Sequence, residues 1–211
     1  MGTGPSLIEP VGEAALMRAV RLLQAGGVVA FPTETYYGLA VDPFNAQALE
    51  RLFVLKARSQ AKPVLVLVQD TAQIPLLAAQ SPPVYTQLIR FFWPGPLTLV
   101  FPSRTSLPHQ LTARTRGIGL RQSPHPVAAK LLAAFGGPLT ATSANRSGTE
   151  PATSAQQAAS LVQGALGFVL DGGETPGGAG STVVGLHAGI LHCLRPGKIP
   201  FAEVEAVARR G

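Results

Sequence analysis

Ala15, Leu16, Ala19, Val20, Leu22 and Leu23 recur at the spacing of one helix face. They predict a helix over 13–24, ended by Gly26 and Gly27 in a left-handed cap. A short apolar run follows at 28–31 and stops at Pro32, and helical spacing resumes over 46–56. Val64, Leu65, Val66, Leu67 and Val68 form an unbroken apolar run, the pattern of a strand buried on both faces. Further buried strands are expected at 97–101, 118–120, 139–142, 168–170, 182–184 and 190–194, with helices at 126–135, 155–162 and 202–209. Strands alternating with helices in this way predict an α/β layered fold built on a mixed sheet.

Composition narrows the picture. A chain of 211 residues with 46% hydrophobic side chains can bury one substantial core but is short for two full domains. The 19 prolines and 23 glycines are spread along the chain, so the loops are numerous and shaped, and only Met1–Pro5 reads as a loose end. There are 17 Lys and Arg against 11 Asp and Glu, a net charge of +6, which points to anionic partners: nucleotide phosphates, nucleic acid or an acidic membrane surface. Glu9 and Glu13 precede any apolar stretch, and no apolar run approaches the ~20 residues that cross a bilayer, so a cytoplasmic protein without membrane attachment is expected. Cys193, the single cysteine, has no disulfide partner and reads as a buried core thiol. His109, His125, His187 and His192 lack zinc-ligand spacing, so no structural metal is expected.

Four polar clusters interrupt the apolar runs. Thr33, Glu34 and Thr35 follow the first strand directly, either as a ligand loop or as an ordinary strand-to-helix turn with a threonine cap. Lys56, Arg58 and Lys62 lie between a helix and a buried strand. They suit a triphosphate, with Arg58 as a planar fork and the lysines as point charges, or they merely complement the helix carboxyl end. Ser143, Asn145 and Ser147 leave the 139–142 strand, and such residues bind ligands or fold back on their own backbone. The glycine-rich stretch 171–182 is neither a Walker loop nor a Gly-x-Gly-x-x-Gly turn, and reads equally as a lid hinged at Ser181 or as a hairpin connection. Arg121 and Arg195, each at a strand end, add phosphate candidates.

Taken together, these clusters resemble the YrdC family, the threonylcarbamoyl-AMP synthases. The resemblance rests on 26–35 with Tyr37-Gly38-Leu39, Lys56-x-Arg58 with Lys62-Pro63, Trp93-Pro94-Gly95-Pro96-Leu97-Thr98, Ile118-Gly119-Leu120-Arg121, Thr142-Ser143-Ala144-Asn145 with Ser147-Gly148, Ser181-Thr182-Val183 and Leu194-Arg195-Pro196-Gly197. It covers about 10–205, which implies one YrdC-like domain between tails at 1–9 and 206–211. It further implies a twisted mixed sheet flanked by helices, with a basic concave cleft, and the condensation of L-threonine, bicarbonate or CO2, and ATP with Mg2+, releasing pyrophosphate. By resemblance, Thr33, Thr35, Arg121 and Ser181 bind threonine. Lys56 and Arg58 face the carbamate and phosphates as the catalytic pair, and Arg58, Lys62, Ser143, Asn145 and Arg195 bind the nucleotide.

Two features differ from the family pattern. Many relatives carry histidine where Leu67 stands, and some carry asparagine where Lys62 stands. The chain ends at Gly211 without the second domain of the long family form, which implies separate partner proteins for transfer to tRNA. A relative that binds tRNA or double-stranded RNA without making the adenylate is the competing reading. It also predicts a basic concave face, with affinity that falls steeply in salt.

Overall fold

A computed structural model describes residues 6–59 and 61–210. The loose end expected at Met1–Pro5 lies outside the described residues. In chain order the elements are β1 (Ile8–Pro10), α1 (Glu13–Gln24), β2 (Val28–Pro32), β3 (Tyr37–Ala40), α2 (Ala46–Lys56) and β4 (Val66–Leu67). A 3-10 turn (Thr71–Gln73), α3 (Ile74–Leu77) and α4 (Pro83–Phe92) precede β5 (Leu97–Pro102). Then come α5 (His109–Thr112), β6 (Gly117–Arg121), α6 (Pro126–Phe135), β7 (Leu139–Thr140), β8 (Thr142–Ser143) and α7 (Ala155–Val162). The hairpin partners β10 (Thr182–His187) and β11 (Ile190–Arg195) follow β9 (Gly167–Asp171), and α8 (Phe201–Ala208) comes last.

The helices form where spacing and caps agree. In α1, Ala15, Ala19, Val20 and Leu23 are buried on one face, and Gly26 then takes φ +78°, a left-handed conformation that glycine adopts without a Cβ clash. The Asn45 side chain accepts from the Ala48 N–H at 3.0 Å to start α2, and Ser154 accepts from Gln157 N–H to start α7. The helix α4 was not anticipated, although Tyr85, Leu88 and Phe92 are buried at helical spacing behind Pro83 at its first turn.

The strands form two mixed sheets where one was expected. One has the order β1-β9-β2-β3-β8, the other β11-β10-β5-β6-β4-β7. The expected 139–142 strand is the reason. Leu139 and Thr140 pair with β4 in the second sheet, and after Ala141 the chain crosses over, so that Thr142 and Ser143 pair with β3 in the first. The apolar 64–68 run contributes only Val66 and Leu67 as strand. At the amino end, Ile8–Pro10 pairs in parallel with β9, so the tail expected through residue 9 is partly a strand, and α8 likewise carries the expected 206–211 tail into a helix as far as Ala208. Cys193 is half-buried on β11, which closes one edge of the second sheet, and is no core thiol.

Alternation along the strands divides the interior and leaves one face free. In β2, Val28 and Ala30 enter one apolar cluster while Val29 and Phe31 enter the other, under α1 and α6. In the second sheet, Leu97, Leu99, Phe101, Ile118, Leu120 and Val184 point into the larger cluster. Thr98, Val100, Gly117, Gly119, Arg121 and Val183, on the opposite face, line a cavity.

Phe168 is fully buried in the smaller cluster, with the Arg18 guanidinium 4.3 Å from its ring centre. Phe168→Ala should cost about 3–5 kcal/mol in urea unfolding. A cost under about 1 kcal/mol would mean that this layer is not close-packed.

Candidate functional site

The cavity between the two sheets has a volume of about 680 Å3. Its walls come from the β2–β3 turn, the segment after α2, the exposed face of β5, β6 and β10, the β8 strand, the glycine-rich loop and the end of β11. Of the residues singled out by sequence, Thr33, Thr35, Arg58, Arg121, Ser143, Ser181 and Arg195 all reach this one wall.

No helix follows the first cluster. Residues 33–36 form the turn between the antiparallel strands β2 and β3, so the threonines are not helix caps. Thr33 Oγ1 donates to the Tyr36 carbonyl at 2.7 Å and lies 3.1 Å from Thr35 Oγ1. The next residue, Glu34, forms an ion pair with Arg121 at the end of β6. Its Oε2 accepts from the Ser123 hydroxyl at 2.6 Å, and its carbonyl accepts from Lys198 Nζ at 2.8 Å. Arg121 Nε is buried without a hydrogen-bond partner.

Three guanidiniums therefore share the wall. Arg121 is almost wholly buried, and burial first, then the nearby Arg195 charge, pushes it down to about 9. Burial and Arg195 also lower Arg58, whose Nη2 donates to the Pro63 carbonyl at 2.8 Å and whose Nε donates to that of Lys62. Arg195 sits at the open mouth, turned back so that Nη2 donates to Ser181 O at 2.8 Å and Ser181 Oγ at 3.0 Å. Partial burial of its guanidinium lowers it as well. Ser181 Oγ is 2.8 Å from Thr98 Oγ1, so a serine–threonine pair lies beside the arginines. Such an arrangement suits an anion with a polar, hydroxyl-bearing end.

Three predicted residues stand off the wall. The Lys56 ammonium points away, donating to the carbonyls of Ser143 and Asn145 and, at 3.1 Å, to Asn145 Oδ1. Asn145 Oδ1 also accepts from the Ser143 hydroxyl at 2.6 Å, while its Nδ2 donates to Thr149 O, so much of this third cluster folds back on itself. Lys62 is exposed, and its carbonyl serves Arg58. Leu67 is fully buried in the smaller core cluster, one pleat beyond the cavity-lining Leu65.

The glycine-rich loop is no hairpin, because β9 and β10 lie in different sheets. It crosses between them along the cavity, bonded through Gly177 N–H to Thr35 O at 2.8 Å, Tyr37 hydroxyl to Gly173 O at 2.7 Å, and Tyr36 hydroxyl to Gly178 O. Gly197 packs against its end. A Cβ there would lie 2.3 Å from Thr182 N, so only glycine lets this turn approach. Sequence reasoning missed Thr98, Val183 and the Glu34 pairing. The lone hydroxyl within the apolar 97–101 run was a readable signal for the first, and nothing local announced the ion pair.

Known proteins share this fold. The model of the Sua5, YciO and YrdC family, described as Telomere recombination, matches residues 21–197. The threonylcarbamoyl-AMP synthase of Pyrococcus abyssi is 36% identical over 199 residues, 94% of this chain and 58% of that protein. The threonylcarbamoyl-AMP synthase of Bacillus subtilis is 36% identical over 193 residues, 91% of this chain and 56% of that protein. The crystal structure of P. abyssi Sua5 complexed with L-threonine superposes with a TM-score of 0.89 at 36% identity, covering 95% of this chain and 59% of the other. The chain thus spans less than two thirds of the length of these relatives. No helix among the described residues is long and apolar enough to cross a membrane.

Burial, with the Arg58 charge nearby, pushes Lys56 down to about 7 from an ordinary 10.5. Between those values the unfolded chain holds more protons than the folded one, so this residue's contribution to stability rises with pH and its penalty is fully present below about 7. Lys56→Met removes the donor shared by three half-buried oxygens and should cost about 1–3 kcal/mol at pH 9. The cost should shrink toward pH 6 in urea titrations. A cost that is equal or larger at pH 6 would show the ammonium to be comfortable where it lies.

Proposed function

The chain belongs to the Sua5, YciO and YrdC family, and on that basis we propose that it makes threonylcarbamoyl-AMP from L-threonine, bicarbonate or CO2, and ATP. The observation that carries this reading is the convergence of a hydroxyl-rich end and three guanidiniums on one cavity.

The chemistry needs no protein nucleophile. The threonine amine attacks the carbon of CO2 and gives up a proton, forming an N–C bond and a carbamate. A carbamate oxygen then attacks the α-phosphorus of ATP, the bond to the β-phosphate oxygen breaks, and pyrophosphate leaves with that electron pair. Overall, threonine, bicarbonate and ATP yield the mixed anhydride, pyrophosphate and water. Catalysis is then a matter of holding two reactants in line and of meeting phosphoryl charge with fixed donors.

Thr33, Thr35, Ser181 and Arg121 form the threonine end, with Arg121 the partner for its carboxylate. Arg58 and Arg195 meet the phosphates, Arg58 presenting a fork already partly stripped of water, and Ser143 meets the nucleotide. Lys56 acts one step behind: its ammonium gathers the Ser143 and Asn145 carbonyls and so sets where Ser143 stands. Asn145 and Lys62 serve the same loops, with Lys62 adding charge at the rim. Among the described residues, no three His, Cys, Asp or Glu side chains gather to hold a metal ion, and the Glu34 carboxylate is already committed to Arg121. Mg2+ would arrive with ATP as part of that substrate. The product would serve proteins that transfer the threonylcarbamoyl group to tRNA in the cytoplasm.

Pyrophosphate release with ATP, Mg2+ and bicarbonate should depend on L-threonine, and Arg58→Ala should lower it by about 10²–10³-fold. No release from folded wild-type protein, together with salt-sensitive binding of tRNA, would replace this reading with the RNA-binding one.

A further inference from the structure

We propose that Glu34 is a positioning residue for substrate recognition: with Ser123 it forms a clamp that holds Arg121 charged and aimed into the cavity. The inference rests on the synthase reading above.

Arg121 sits where a lone cation is costly. It is 3% exposed, it shares its cavity with Arg58 and Arg195, and its Nε is buried without a partner. Glu34 supplies the compensating charge from the opposite sheet, since it stands on the β2–β3 turn of one sheet while Arg121 ends β6 of the other. The carboxylate is itself fixed at two points. Ser123 Oγ donates to Oε2 at 2.6 Å, and Lys198 Nζ donates to the residue's own carbonyl at 2.8 Å. Ser123 is buried two residues beyond Arg121, so one short segment carries both the cation and the group that orients its counter-ion.

Glu34 does not line the cavity wall, whereas Arg121 does, and this division separates positioning from contact. A substrate carboxylate would meet the guanidinium face left free by Glu34. The charged groups bearing on the pair are Arg195 from β11, Lys198 from the turn after it and, through Arg195, Arg58 after α2. All are cationic. Glu34 is thus the group whose removal shifts the balance, and its loss would make the Arg121 guanidinium easier to deprotonate.

The test is titration calorimetry of L-threonine binding alongside steady-state kinetics for Glu34→Gln, Glu34→Asp and Ser123→Ala. Wild-type protein should bind threonine directly, and failure there would sink the functional reading and not the clamp. Given that binding, Glu34→Gln should weaken threonine about 10–100-fold, the range met when the partner behind a ligating group is removed. ATP affinity should change little. The alkaline limb of the threonine affinity profile should move to lower pH, and Glu34→Asp should recover part of the loss. Ser123→Ala should weaken threonine about 3–10-fold and decides the matter if Glu34→Gln does not fold. Unchanged threonine affinity and pH limb in a folded Glu34→Gln, or lost turnover with normal threonine affinity, would overturn the proposal. So would wild-type affinity in Ser123→Ala.

Discussion

The Glu34–Arg121 ion pair bridges two sheets whose strands do not otherwise pair. Glu34 stands on the β2–β3 turn and Arg121 at the end of β6, so their attraction ties the two sheets together beside the cavity. A buried guanidinium without such a partner is strongly unfavourable, and here the nearby Arg195 charge adds to the strain. The contacts around the pair read as answers to that problem. Ser123 orients the carboxylate, Lys198 fixes its backbone, and Arg195 turns back onto Ser181 toward the mouth.

The second bridge is backbone. At Ala141 the chain leaves the β4 partner and joins β3, so a single extended segment belongs to both sheets. Thr140 reinforces the crossing: its Oγ1 accepts from Val41 N–H at 2.8 Å and donates to Leu39 O. Ser143 follows directly and is held from behind by the Lys56 ammonium through its carbonyl. A cation buried for this purpose is expensive, and three acceptor oxygens offset part of its lost hydration. The arrangement places the cavity at the junction of the two sheets.

Local chemistry and long-range pairing differ in how well the chain announces them. The bounds of α1, α2, α6 and α7 follow from apolar spacing and caps, because helix hydrogen bonds are made within the segment. The positions of most strands along the chain, those of β1 and β3 excepted, were legible as apolar runs. Their division into two sheets was not, since the apolar 139–142 run looks identical whether it stays in one ladder or changes partners at Ala141. Site residues follow the same divide. Arg58, Arg121, Ser181 and Arg195 stand at strand or helix ends, where polar groups after apolar runs invite attention. Lys56 sits in the same kind of pattern, yet its ammonium turns to Ser143, a contact 87 residues away that no local rule reveals.

The glycine-rich loop joins the two bridges into a single wall. It leaves β9 in the first sheet, enters β10 in the second, and is tied down in passing by the carbonyl of Thr35 and the hydroxyls of Tyr36 and Tyr37. Those ties come from the turn that carries Thr33 and Glu34, so the hydroxyl end of the cavity and the covering loop are bonded together. Ser181 at the end of the loop then reaches Thr98 and Arg195. Donors held this firmly need little reorganisation when an anion arrives, and guanidiniums already short of water gain more from it than hydrated ones would. For the proposed reaction, whose nucleophile is a substrate carbamate, such pre-set charge is the principal means of acceleration this cavity offers.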